Sequence, residues 1–426
     1  MDTVASSPKR DHFGNQIDPT VGYARGSILR STDEEVARML RARRMVGDRV
    51  RASGLESVFD LSGMNRGSGL TDQDVAHLTS HVPFFERYEG RTEPFALAHM
   101  GADPGKHRSL ILNRVSAANF IALSTLLKSG DMVYALAPAK GSTHPSAVRP
   151  ISIVGAHFRQ FHAIEELEEA WAANGPPTLL LITPISASKR HIDLADVKRA
   201  LALPRAPSTL AYVDDAHMAS RIGFFDEPKT FGLGKVDVAV CSADKHVAGP
   251  RAGVLVGRSD LVTAISSRAF ELGLEAQAGQ YVGVANALRD FDPAVVERAG
   301  VIAMELVAAI QAKYDECAYL GGPGASIVGD DVIQIAMARA GKTEKPSLVA
   351  VEAAGIVAME MLESDGVLTI GAVSMPGSAP VVRLMMYPDG HRLGVVRIAD
   401  SLDRAISALA ALLYDPVRAR AKLLGT

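Results

Sequence analysis

The sequence predicts an α/β fold: a large domain built on a mostly parallel, doubly wound sheet, followed by a smaller C-terminal α+β domain. Two observations predict it. From about residue 107 to 258, short β-rich apolar runs alternate with helical patterns, which argues for parallel strands joined by crossover helices. Polar residues capable of chemistry fall just after those runs, and sheets of this kind bind ligands beyond the carboxyl ends of their strands. The boundaries read as an N-terminal arm and helix over 1–60, the large domain over 61–290, and a linker helix with the small domain over 291–426.

With 426 residues, 47% hydrophobic and 22% charged, the chain can bury a full core and divide into two domains. A net charge of -3 leaves no basic footprint for nucleic acid or an anionic membrane. Cys241 and Cys317 carry neither metal spacing nor a disulfide framework, which fits a reducing compartment. No apolar run approaches the roughly 20 residues that span a bilayer. Met1 to Asn15 is polar and lacks the apolar core of a signal peptide. The expectation is a soluble cytoplasmic protein with no metal, nucleic-acid or membrane partner.

In chain order, residues 1–20 are polar and read as a mobile arm. Ser31 or Thr32 then caps an amphipathic helix carrying Val36, Met39, Leu40 and Met45. Strands are expected at Leu110–Leu112, Met132–Leu136, Ile151–Val154, Thr178–Thr183, Thr209–Val213, Val236–Cys241 and Gly253–Gly257. Helices are expected at Ala118–Lys128, Glu165–Ala173 and Leu194–Leu203. A long helix from Pro293 to about Leu320 leads to a C-terminal domain containing Val332–Ala336, Val367–Val373, Val381–Met386 and a final helix near Ile398–Tyr414.

Chemistry concentrates in four loops. Asn113-Arg-Val-Ser116-Ala117 opens a helix after a strand, where backbone N–H groups and the helix dipole suit a phosphate; Ser116 as an ordinary helix cap is the competing reading. Gly141-Ser-Thr-His144 follows the next strand, and an imidazole there either lies flat on an aromatic ring or is simply solvated. Tyr212-Val-Asp214-Asp-Ala-His217 ends a hydrophobic strand with two carboxylates. Side chains alternate along a strand, so one carboxylate faces the site: Asp214 is chosen and Asp215 is the alternative. His217 either bonds the aspartate, touches substrate or is structural. Finally, Ser242-Ala-Asp-Lys245 leads into Gly249-Pro250-Arg251-Ala-Gly253, with Ser242 offering a hydroxyl on the side of the lysine. A lysine after one strand and an aspartate ending the strand before it are what an enzyme needs to hold pyridoxal phosphate. The amine condenses with the aldehyde, and the carboxylate pairs with the pyridinium nitrogen. No other lysine is seen at a suitable strand end.

These segments resemble the fold-type I pyridoxal phosphate enzymes of the aspartate aminotransferase-like fold, most closely the serine hydroxymethyltransferase group. The resemblance is carried by Ser116-Ala-Ala-Asn119, Gly141-Ser-Thr-His144, Ser186-Ala-Ser-Lys-Arg190-His-Ile-Asp193, Asp214-Asp-Ala-His217 and Lys245 with Gly249-Pro250-Arg251. It implies that Ser116 and Ala117 hold the phosphate, His144 stacks on the ring, Ser186 approaches the phenolic oxygen, and Lys245 is the Schiff-base residue with Arg251 close behind. Gln277-Ala-Gly279-Gln is similar to a segment that contacts the phosphate of a neighbouring subunit, implying a homodimer. Val381-Val-Arg383 is similar to the strand whose arginine clamps the substrate carboxylate, with Arg251 and Arg392 next in line. Asp244 stands where the hydroxymethyltransferases have histidine, and Asp244-Lys245 also resembles the selenocysteine synthase (bacterial selenium transferase) group. The resemblance implies a lyase or transferase acting on an α-amino acid, with Cα–Cβ cleavage or transfer first. β-elimination or β-replacement comes second and transamination third. A non-catalytic relative is the reading from another class.

Overall fold

Seven strands make the central sheet of the first of two units, Met64–Glu297, in a computed structural model that describes residues 9–374 and 376–426. They are β1 (His107–Leu112), β2 (Met132–Leu136), β3 (His157–Phe161), β4 (Leu179–Ile182), β5 (Leu210–Asp214), β6 (Val238–Ser242) and β7 (Gly253–Arg258). Their spatial order is β1-β7-β6-β5-β4-β2-β3. All neighbours are parallel except β7, which runs against both β1 and β6. The sheet is covered on both faces, so β4 and β6 are buried at every residue and read as unbroken apolar runs. Successive side chains enter opposite cores. Leu180 and Ile182 join Trp171 and Val213 on one face, and Leu179 and Leu181 join Ile121 and Tyr212 on the other.

The sheet corrects one strand assignment. Ile151–Val154 is not a strand: residues Pro145–Ile153 form a helix, started by Pro145 and by His144, whose side chain accepts the Ser146 N–H. Ile151 is buried while Ile153 is exposed, a helical rather than an alternating pattern. The strand is instead β3, which lies at the sheet edge and alternates exposed with partly buried residues before Phe161 closes it.

The second unit joins the stretch up to Gly63 with Arg298–Thr426, whereas the sequence reading set 1–60 and 291–426 apart. Its antiparallel sheet has three strands in the order β8 (Ala318–Leu320), β9 (Gly324–Val328) and β10 (Val381–Met385). Helices at Gly329–Ala340, Ala350–Asp365 and Val395–Leu412 share one core with it, including Ile327, Val382, Ile356 and Leu402. Val332–Ala336 belongs to the first of these helices, burying Val332, Ile333 and Ala336. Val367–Val373 splits into a two-residue strand paired with Phe59–Asp60 and a short helical turn. The long linker helix is Ala294–Tyr314. It stops short of Leu320 because Asp315 takes a left-handed backbone, φ 55°.

Near the N-terminus, Ile17–Asp18 pairs with Tyr23–Ala24, so this part of the expected arm is structured; residues 1–8 lie outside the described residues. Ser31 caps the helix Thr32–Ser53. The segment between them is fastened by Glu352, buried on the helix Ala350–Asp365, which accepts the N–H groups of Ile28 at 2.7 Å and Leu29 at 2.9 Å. Leaving a buried donor unsatisfied costs about 1–3 kcal/mol. Glu352→Ala should therefore destabilise this unit by at least about 2 kcal/mol, read as a lower denaturant midpoint. An unchanged midpoint would show that the segment is held elsewhere.

Candidate active site

The carboxyl ends of β1, β2, β4, β5 and β6 open on one edge of the sheet, and the four loops singled out in the sequence all start there. Two helices frame them, α1 (Val115–Leu126) after β1 and α2 (Pro145–Ile153) after β2.

Asp214, the last residue of β5, is buried. Its Oδ2 accepts Asn119 Nδ2 of α1 at 2.9 Å. The same amide lies 3.1 Å from Ser146 Oγ, and Asn119 Oδ1 accepts the Tyr212 hydroxyl at 2.7 Å. Ser146 Oγ is in turn 2.8 Å from His144 Nδ1. One hydrogen-bonded chain thus joins Tyr212, Asp214 and His144 through Asn119. Asp214 Oδ1 is buried and takes no side-chain hydrogen bond. Burial pushes the Asp214 carboxyl above its ordinary value, against the pull of the Lys245 charge and the Asn119 amide. A buried carboxylate with one oxygen open to a donor fits the protonated ring nitrogen of pyridoxal phosphate.

Asp215 has a different fate. It pairs with the fully buried Arg221 at 2.7 Å and accepts the Thr230 hydroxyl at 2.8 Å, while Arg221 also reaches Glu227 at 3.1 Å.

Lys245 sits past the end of β6, where its backbone bridges Met64. Its Nζ is 3.5 Å from His217 Nε2, and the other ring nitrogen of His217 is 2.8 Å from Lys189 Nζ. Lys189 is a second lysine at this edge, following β4, which sequence reading overlooked. It is almost completely buried, and its signal was hidden inside the Ser186–Asp193 motif. Asp244 is tied down by Ser242 Oγ at 2.6 Å and Arg66 at 3.3 Å. The Ser242 hydroxyl proton therefore goes to Asp244, where the sequence reading held it for the cofactor. Gly249 closes the turn after Lys245; a Cβ there would stand 2.6 Å from the Ala243 carbonyl oxygen and 2.9 Å from Ala287.

Ser116 is not the cap of α1: Arg114 holds that position with an extended backbone, placing Ser116 and Ala117 within the first turn. Ser186 Oγ lies 2.9 Å from Ser188 Oγ, and a Cβ on Gly141 would approach it to 2.7 Å, so a glycine is required for the β2 loop to pass this close. Gly279 lies in the first turn of the helix Ala278–Arg289; beside it, Gln280 Nε2 donates to the Arg251 carbonyl at 3.0 Å. Arg383 belongs to the other unit. It is buried in β10, and burial pushes its pKa down to about 10. Arg392, also in that unit, is engaged with Asp389 and Glu56 and lies over Phe59. Among the described residues no cluster of three metal-ligating side chains occurs, and no helix is long and apolar enough to cross a membrane.

The architecture is that of the fold-type I enzymes. A solved Silicibacter pomeroyi chain described as a "putative aminotransferase" superposes with a TM-score of 0.55 at 19% identity, covering 89% of this chain and 96% of that one. In sequence, the chain is similar to a UPF0425 pyridoxal phosphate-dependent protein of Methanosphaera stadtmanae, 26% identical over 88% of this chain and 96% of the relative. Shorter similarities run to the L-seryl-tRNA(Sec) selenium transferase of Desulfomicrobium baculatum, 30% identical over 40% of this chain and 39% of the relative. The serine hydroxymethyltransferase of Azoarcus is 26% identical over 46% of this chain and 49% of its own length. No protein-family model matches the chain.

Asp214 gives a prediction independent of any ligand. A carboxyl whose folded pKa is raised stabilises the fold most below its unfolded pKa, near 4, and loses that contribution as pH rises through the folded value. Asparagine escapes this loss. Cofactor-free Asp214→Asn should resist urea better than the parent at about pH 8, with the gap closing toward about pH 4. A lower midpoint for the variant at pH 8 would contradict the burial argument.

Proposed function

We propose that the chain is a pyridoxal phosphate-dependent enzyme acting on an α-amino acid, by cleavage or transfer at the Cα–Cβ bond. The observation that carries this reading is the pair on adjacent strand ends: a buried Asp214 with one open oxygen, and Lys245 beyond β6. The residues present fit the cofactor. Lys245 would hold its aldehyde, Asp214 its ring nitrogen, and His144 the face of its ring. Ser186 would lie by the phenolic oxygen, Ser116 and Ala117 would hold the phosphate, Arg251 would sit close behind Lys245, and Gly279 would reach the phosphate of the neighbouring subunit. When bound, the cofactor supplies an electron sink for the bond broken at Cα. Asp214 keeps a proton at the ring nitrogen, its low-dielectric setting strengthening the interaction. Asn119 fixes the carboxylate and, through Ser146, the His144 ring.

A second reading, β-elimination or β-replacement, is favoured by Asp244 before the lysine and by the similarity to a selenium transferase. Both readings share one site and differ in which bond at Cα or Cβ breaks. In either, we take the working form to be a homodimer.

Adding a panel of α-amino acids to the cofactor-loaded chain, with absorbance and product analysis, tests both. A β-hydroxy amino acid yielding glycine and an aldehyde supports the first; pyruvate or a β-substituted product supports the second. A colourless chain that takes up no cofactor would refute both. Borohydride reduction followed by peptide mapping should place the cofactor on Lys245, and Lys245→Ala should abolish the label. A label on Lys189 would move the assignment one imidazole away.

A further inference from the structure

Two lysines share one imidazole at this site. Lys189 Nζ is 2.8 Å from His217 Nδ1, and Lys245 Nζ is 3.5 Å from His217 Nε2. An ammonium has donors but no acceptor, whereas a neutral imidazole has one N–H and one acceptor nitrogen. The two amines therefore cannot both be ammonium ions donating to His217. If one is charged, the ring presents its N–H to the other, which must be an amine to receive it.

We propose that Lys189 is a positioning residue that draws a proton from Lys245 through His217 and so leaves Lys245 the neutral amine. The inference rests on the reading of Lys245 as the residue that takes the cofactor aldehyde, and it deepens that reading. In the transfer, Lys245 Nζ gives a proton to His217 Nε2 while His217 Nδ1 gives its own to Lys189 Nζ. The ring ends as the other tautomer, and the positive charge moves to Lys189. The shorter of the two distances, at Lys189, falls in the range of charge-assisted bonds.

Other charged groups face the trio. Asp214 attracts charge to Lys245, but burial pushes its carboxyl toward the neutral form, which weakens that pull. His246 is held neutral first by burial, and the lysine charge beside it acts in the same direction. Asp244, next to Lys245, is engaged with Arg66 and Ser242. A thiol or hydroxyl nucleophile is aided by an adjacent base, and a lysine by an adjacent cation; here one residue would act as both.

Competitive acetylation of the full, cofactor-free chain across a pH series, read by mass spectrometry at each lysine, tests this. In the unaltered chain Lys245 should be acetylated at neutral pH, with a midpoint well below that of ordinary lysines at about 10.4. Lys189 should resist. In Lys189→Met the Lys245 midpoint should rise by at least about one pH unit, so labelling at pH 7.5 falls at least tenfold. Lys189→Arg, a permanent cation able to donate to Nδ1, should keep the low midpoint. The rate of pyridoxal phosphate capture, followed by absorbance, should fall in parallel at pH 7.5 and recover at high pH.

Equal Lys245 midpoints in the parent and Lys189→Met would overturn the proposal. Ordinary midpoints for both lysines in the parent would overturn it with no variant needed. A depressed Lys245 midpoint that depends on Lys189, in a chain that takes up no pyridoxal phosphate, would uphold the relay and remove the cofactor reading.

Discussion

Two consecutive carboxylates end β5, and the burial of both is the constraint around which the site is organised. A carboxylate taken out of water needs a cation, a proton or several donors. Asp215 has a cation: Arg221, fully buried, which also holds Glu227. That pair fastens the turn after β5 to the Thr230 segment. Asp214, on the other face, receives the Asn119 amide and the Ala216 backbone, and burial still pushes it toward its neutral form. One residue of the dipeptide is thereby committed to structure, and its neighbour is left with capacity for a cationic partner.

The same division explains why Asn119 matters although no role was assigned to it from sequence. It lies on the buried face of α1, and its amide supplies Asp214 while its carbonyl takes the Tyr212 hydroxyl. An asparagine between a hydroxyl donor and two acceptors has its orientation fixed by its neighbours. Its contribution is to fix one oxygen of a carboxylate that the Ala216 backbone also holds.

How much of this was legible in the sequence depended on burial. Strands β2, β4, β5, β6 and β7 are covered on both faces and announce themselves as apolar runs. The edge strand β3 alternates, and an apolar helix beside it, Pro145–Ile153, took its place in the reading. In the second unit, Val332–Ala336 was left without an element type, since a short apolar run looks alike in a strand and in a buried helix. For the site, strand ends marked Asp214, Lys245 and His217, because parallel sheets present chemistry there. Lys189 was missed because burial of a lysine cannot be read from its neighbours in sequence. The bond from the Ser242 hydroxyl to Asp244 was not legible because Asp244, two residues on, had been read as a family marker.

His144 shows what a bond to its own helix implies for recognition. Its Nδ1 accepts the Ser146 backbone N–H at 3.1 Å and lies 2.8 Å from the Ser146 hydroxyl, so the ring caps its own helix. Its rotamer is set by the start of α2 before any guest arrives. A planar guest would meet a wall already in place, and little side-chain entropy would remain to be lost on association. Selectivity for a flat aromatic guest over a flexible one would then reside in the empty protein, as a property of how one helix begins.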